Sequence, residues 1–127
     1  MRKLILGAAA LSCISAAPAS AEYLSGDEIA GLIGGKRVYL ATSYGLEFPM
    51  HYASNGRVTG DGSGTMLGDY FAPKETGKWW VAGDRMCQQF PTWYDGRPLC
   101  FKLERAGGSK LRWYREDGAA GKARIAG

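Results

Sequence analysis

The chain has 127 residues, 46% of them hydrophobic, with a net charge of +4 at neutral pH, one histidine and three cysteines. This length allows one domain of ordinary size with a modest core. The charge excess is too small to argue for nucleic acid or an anionic membrane as a partner, and the 16 basic residues are scattered, which reads as a solvated, mixed surface.

At the N-terminus, Arg2 and Lys3 precede an apolar run from Leu4 to Ile14, and Ala19-Ser20-Ala21 offers the small residues that signal peptidase accepts. The run is far short of the ~20 residues that span a bilayer. The sequence therefore predicts a signal peptide over 1–21, cleaved before Glu22. A single β-rich domain follows over 22–127, with no integral membrane segment in the mature chain. The alternative, a lipoprotein acylated at Cys13, is opposed by "ALSC", which lacks a good aliphatic residue three positions before the cysteine. Loss of Arg2 and Lys3 lowers the net charge from +4 to +2.

"LSGDEIAGLIGG" predicts one short helix. Ser25 is a good N-cap, Glu28 completes a capping box, and Leu24 with Ile29 forms a hydrophobic staple. Ile29, Leu32 and Ile33 share one face. Gly34-Gly35 stop the helix by admitting left-handed backbone.

Strands and turns follow. "KRVYLAT" alternates, with Val38 and Leu40 on one face and Tyr39 and Ala41 on the other. In "LEFPMHYA", Pro49 suggests an edge or a bulge. Asn55-Gly56 signals a two-residue hairpin. "VTGDGSGTM" reads as a thin strand, a bulge or a loop, and "GDYFAPKETG" as a loop. A strand from Lys78 to Val81, a turn at Ala82-Gly83-Asp84 and a strand from Arg85 to Phe90 make a hairpin. "RPLCFKLER", a turn at Gly107-Gly108, "KLRWYRE", a turn at Asp117-Gly118 and "KARIA" complete the chain. The expected fold is mainly β: a small antiparallel meander or barrel-like sheet of about seven or eight short strands, with one short N-terminal helix at one end.

The mature chain keeps two cysteines, Cys87 and Cys100. An even pair in an exported chain favours a disulfide. Zinc would need four ligands, and only His51 could join the cysteines; a redox centre normally spaces its thiols two residues apart. Alternation turns Met86, Phe90, Leu99, Phe101 and Leu103 inward. Both cysteines then face outward on neighbouring strands, as a cross-strand bridge requires. The loop between them, "QQFPTWYDGRPL", is clamped at its base and stiffened by Pro91 and Pro98.

"TGKWWVAGDRMCQQF" and "GRPLCFKLE", together with "LSGDEIAGLIGGK", resemble small exported alphaproteobacterial proteins of the type catalogued as domain of unknown function 995. The resemblance covers Leu24 to about Tyr114. It implies an exported β-rich fold with a cysteine pair and no established activity. The bulky "PTWYDGRP" between the cysteines departs from that pattern.

Catalytic constellations are thin. A serine triad would need His51, and Ser63 in "GDGSGT" lacks the glycine spacing of a nucleophile turn. The acids Asp61, Asp69, Asp84, Asp95, Glu116 and Asp117 sit at turns, where aspartates usually bond their own backbone. Haem ligation by His51 has no further support. The aromatics say more. Trp79-Trp80 and Trp113-Tyr114 are consecutive on strands, so one of each pair enters the core and the other meets solvent or a cover.

The sequence thus predicts a periplasmic or secreted binding or envelope-associated protein that is not an enzyme and uses no metal or cofactor. The candidate contact residues are Trp93, Tyr94, Trp80 and Tyr114. An envelope protein or a cell-wall glycan is the expected partner, and a small apolar ligand is a further option. The alternatives are a structural envelope component without a small ligand and, more distantly, a small hydrolase.

Overall fold

The computed structural model describes residues 22–42, 45–62 and 74–126. The signal peptide, Cys13, Ser63, Asp69 and the first part of the expected "GDYFAPKETG" loop lie outside them.

Eight antiparallel strands follow one helix: α1 (Gly26–Ile33), β1 (Lys36–Ala41), β2 (Glu47–Tyr52), β3 (Arg57–Gly60), β4 (Glu75–Ala82), β5 (Arg85–Gln89), β6 (Leu99–Arg105), β7 (Lys110–Arg115) and β8 (Ala120–Ala126). Each strand pairs with the next, and β8 pairs with β1, so the sheet closes into a barrel. The expected meander is therefore present in its closed form, and β4 starts three residues earlier than its apolar run suggests. Gly77 and Glu75 continue the alternation past Trp79, but neither carries an apolar signal.

Closure changes the role of Pro49. The described strands leave no edge to receive it; its carbonyl accepts from Asp61 N (3.1 Å), just past the end of β3. β3 has only four residues, so the proline sits where a ladder donor is no longer needed. The Asn55-Gly56 signal does mark a hairpin, with a four-residue connection rather than two. Ala53 N donates to Arg57 O, Gly56 takes a φ of +92°, and Asn55 Oδ1 accepts from Arg57 N. Between β4 and β5 the turn is Gly83-Asp84, with Ala82 still in its strand.

The interior follows alternation throughout. Val38, Met50, Tyr52, Val58, Trp79, Met86, Phe101, Leu103, Leu111 and Ala123 are buried in one cluster. An eight-stranded barrel is just wide enough for side chains to fill it. Large rings are accommodated by glycines: a Cβ at Gly121 would collide with Trp113, and one at Gly60 with Trp93.

The helix closes one end. Its capping box forms in full, with Glu28 N donating to Ser25 Oγ (3.2 Å) and Ser25 N to Glu28 Oε1 (2.9 Å). Leu24, Ile29 and Ile33 are buried in the core cluster, and Leu32 packs against it. Gly26 N donates to Asp84 Oδ1, which ties the helix start to the β4–β5 turn. Of the two stop glycines, only Gly35 is left-handed, at φ +77°, and its N–H donates to Tyr52 O.

The outer wall carries Arg37, Lys78, Lys102, Lys110, Arg112, Lys122 and Arg124, the residues facing away from the apolar set. This polarity is the reverse of a membrane-spanning barrel, whose outside is apolar. The expected scatter of positive charge needs one correction. Strand register places Lys110 opposite Arg124 and Arg112 opposite Lys122. Residues ten and fourteen positions apart in the chain thereby become neighbours on one wall.

Candidate functional site

Cys87 and Cys100 are bonded to each other as partners in register, with Cα atoms 4.0 Å apart. Both belong to the outward set, and Cys87 is wholly buried even so. The bridge ties β5 to β6 at the base of the loop that crosses the barrel end opposite the helix. A disulfide-bonded domain is consistent with an extracytoplasmic location.

Side-chain hydrogen bonds and ring contacts shape the loop. Glu75, at the start of β4, accepts from Thr92 Oγ1 (2.6 Å) and Thr92 N (3.1 Å) with one carboxylate oxygen, and from Trp93 N (3.1 Å) with the other. Gln89 Nε2 donates to Gly96 O (2.8 Å). The Trp93 ring stacks at 4.4 Å from Phe90 and edge-on at 5.6 Å from Phe48. Tyr94 and Asp95 are both left-handed, at φ +57° and +58°, and are the described residues other than glycine that adopt positive φ.

This geometry separates the two tip aromatics. Trp93 is half-buried and joins the core cluster, so it closes the barrel end. Tyr94 is 47% exposed, and the Arg115 guanidinium lies 5.2 Å from its ring centre. Arg115 is held by two bonds of 2.8 Å to Asp117. The side-chain bonds from Arg115, followed by the Ala119 amide, hold the Asp117 carboxyl down at about 2, from an ordinary value of 3.8.

Beneath Tyr94 lies a cavity of about 60 Å³ in the barrel interior, bordered by Ile33, Val38, Gln88, Phe101, Trp113 and Arg115 among others. Its polar centre is a buried pair: Tyr52 OH donates to Gln88 Oε1 at 2.8 Å, with Gln88 only 6% exposed. Burial pushes the Tyr52 phenol above its ordinary range. The indole nitrogens of Trp93 and Trp113 are also buried and meet no acceptor among the described residues. Outside the loop, an open groove runs along Arg57, Thr76, Gly77, Lys78, Phe90 and Pro91.

The other two candidate residues sit apart from the loop tip. Trp80 lies on the outer wall in register with Cys87, half-buried, with the Lys78 ammonium 5.9 Å from its ring. Its partner Trp79 is in the core and donates to Ala53 O (2.8 Å). Tyr114 is half-buried on a different wall. Its hydroxyl donates to Glu104 Oε1 (2.8 Å), and Tyr23 packs edge-on against it at 5.7 Å. The N-terminal segment before the helix thus supplies the cover that the alternation argument asked for. His51 is exposed on the outer wall of β2, opposite Arg37 and Thr59.

Sequence reasoning misses Glu75, which orders the loop although its own neighbours in the chain carry a loop signal. The signal was present in weak form: Glu75, Gly77, Trp79 and Val81 keep period two, so the carboxylate belongs to the inward set at the barrel rim. These features define a class: a closed eight-stranded antiparallel barrel, stoppered by a helix at one end and by a disulfide-clamped aromatic loop at the other. No family model, no curated protein and no solved structure matches the chain.

Proposed function

We propose that the protein is an exported, non-catalytic binding module that meets an envelope partner, protein or glycan, through the clamped loop Thr92–Arg97. The observation that carries this reading is the pair Tyr94 and Asp95. Left-handed backbone costs roughly 1–2 kcal/mol for a residue such as tyrosine and less for aspartate, and here it holds an exposed ring at the tip of a braced loop. Strained residues persist where their surroundings over-determine them, and such places concentrate at binding and catalytic sites. A loop ordered beforehand by Glu75, Gln89 and the disulfide loses little entropy on binding. The groove beside Arg57, Lys78 and Phe90 extends the same surface. Export rests on the signal-peptide pattern and on the disulfide.

The test is capture from an envelope extract by the immobilised protein and by Tyr94→Ala. That variant should stay within about 0.5 kcal/mol of the parent in stability and lose the captured partner. Equal capture by both proteins would overturn the reading. Mass spectrometry of the exported protein should find an N-terminus at Glu22; retention of residues 1–21 would remove the export claim.

A further inference from the structure

The β7–β8 wall holds an arrangement that the fold itself does not need. Lys110 faces Arg124 and Arg112 faces Lys122 across neighbouring register positions, with Leu111 and Ala123 between them turned inward. Four cations therefore form a square on the outer surface. Like charges directly opposite each other on paired strands are destabilising, and opposite charges would favour the same sheet.

Two corners of the square are neutralised and aimed. Arg124 makes paired bonds of 2.6 and 2.8 Å to Glu47 and lies 4.3 Å from the Tyr39 ring. Arg112 approaches Glu104 at 3.6 Å. The other two corners, Lys110 and Lys122, stand diagonally across the square and have no carboxylate within ion-pair distance among the described residues. The same residues, with Tyr39, the small side chain of Ala41 and the Glu47 carboxylate that Arg124 engages, border a surface hollow of about 320 Å³.

We infer that this hollow is a binding site for a phosphorylated sugar. The two unpaired ammonium groups supply charge and hydrogen-bond donors for the phosphate oxygens, and charged donors to an anion give the stronger class of hydrogen bond. The hollow has room for the sugar that carries the phosphate, and Tyr39 stands at its rim. A membrane of anionic lipid fits less well. The wall is concave here, and the exposed large apolar side chains among the described residues, Tyr23 and Tyr94, both lie elsewhere. The site shares no residue with the Thr92–Arg97 loop, so it stands or falls separately from the function proposed above.

The experiment is a titration of the protein, followed by amide NMR, with glucose 6-phosphate, glucose, inorganic phosphate and anionic phospholipid vesicles. Glucose 6-phosphate should shift the amides of Lys110, Arg112, Lys122 and Arg124 saturably, more tightly than inorganic phosphate, and the shifts should weaken with added salt. Glucose and vesicles should leave those amides unmoved. The double variant Lys110→Gln, Lys122→Gln should bind about tenfold more weakly or worse, with a melting temperature equal to or above the parent's because two repulsions are relieved. Absence of saturable shifts, equal affinity for inorganic phosphate, a response to glucose or vesicles, or unchanged affinity in the double variant would each overturn the site.

Discussion

The two ends of the barrel are closed by different means. At the helix end, closure is local and unstrained. A capping box starts eight helical residues, and Leu24, Ile29 and Ile33 turn into the core, with Ile29 at 0% exposure. At the loop end, closure is assembled from distant pieces. Trp93 rests over Gly60 and against Phe48 and Phe90, Glu75 reaches the loop from the start of β4, and the disulfide holds its base. Among the described residues, the loop end carries the two left-handed residues outside glycine and a buried Trp93 indole N–H that meets no acceptor, a lack that Trp113 in the barrel wall shares. A stopper needs only apolar volume, and the helix shows how cheaply that is supplied. In the function proposed above, the extra cost at the other end holds Tyr94 out as a contact residue.

Four variants test this contrast. The largest effect belongs to the helix end. Ile29→Ala removes a fully buried side chain and should cost about 2–5 kcal/mol, read by denaturant unfolding. If it cost less than the loop-end variants, the helix would be an accessory rather than a stopper. Cys100→Ser should cost roughly 3 kcal/mol, in a model-dependent way, and lower the melting temperature by several degrees. A change near zero would mean that the bridge is energetically idle. Glu75→Gln removes the charge from three bonds to the loop and should cost about 1–2 kcal/mol. Trp fluorescence should move to the red as Trp93 loosens, and an unchanged spectrum would show that the loop is ordered without Glu75.

The smallest effect concerns Asp117 beside the loop. Its carboxyl is held at about 2 in the fold against 3.8 ordinarily. A depressed folded value means that the Arg115–Asp117 contact stabilises the fold above the ordinary value and is lost as pH falls toward 2. Asp117→Asn should therefore melt slightly below the parent at pH 7, and the two should converge between pH 3.8 and about 2. A gap that persisted at pH 2 would assign the effect to packing. A gap absent at pH 7 would show that the pair contributes nothing at this exposed position.

The sequence by itself determined whatever depends on neighbours in the chain. Ser25 and Glu28 specify a helix start because the cap is a four-residue hydrogen-bond pattern. Alternation from Val38 to Ile125 settles which side chains are inside, because a strand has no other way to turn them. The same rule put Cys87 and Cys100 on the outer face, and the paired register could then only bond them. The closure of the sheet, the length of β4 and the four-residue β2–β3 connection were not legible, because each depends on a ladder partner far along the chain. The loop end shows this most clearly. Nothing near Trp93 and Tyr94 says that one ring is a stopper and the other is exposed. That division comes from Gly60, Phe48 and Glu75, which reach the loop only once the barrel has closed. The cation square has the same origin. Lys110, Arg112, Lys122 and Arg124 look scattered in one dimension and become neighbours because antiparallel register, set by the inward apolar residues between them, decides what stands opposite what.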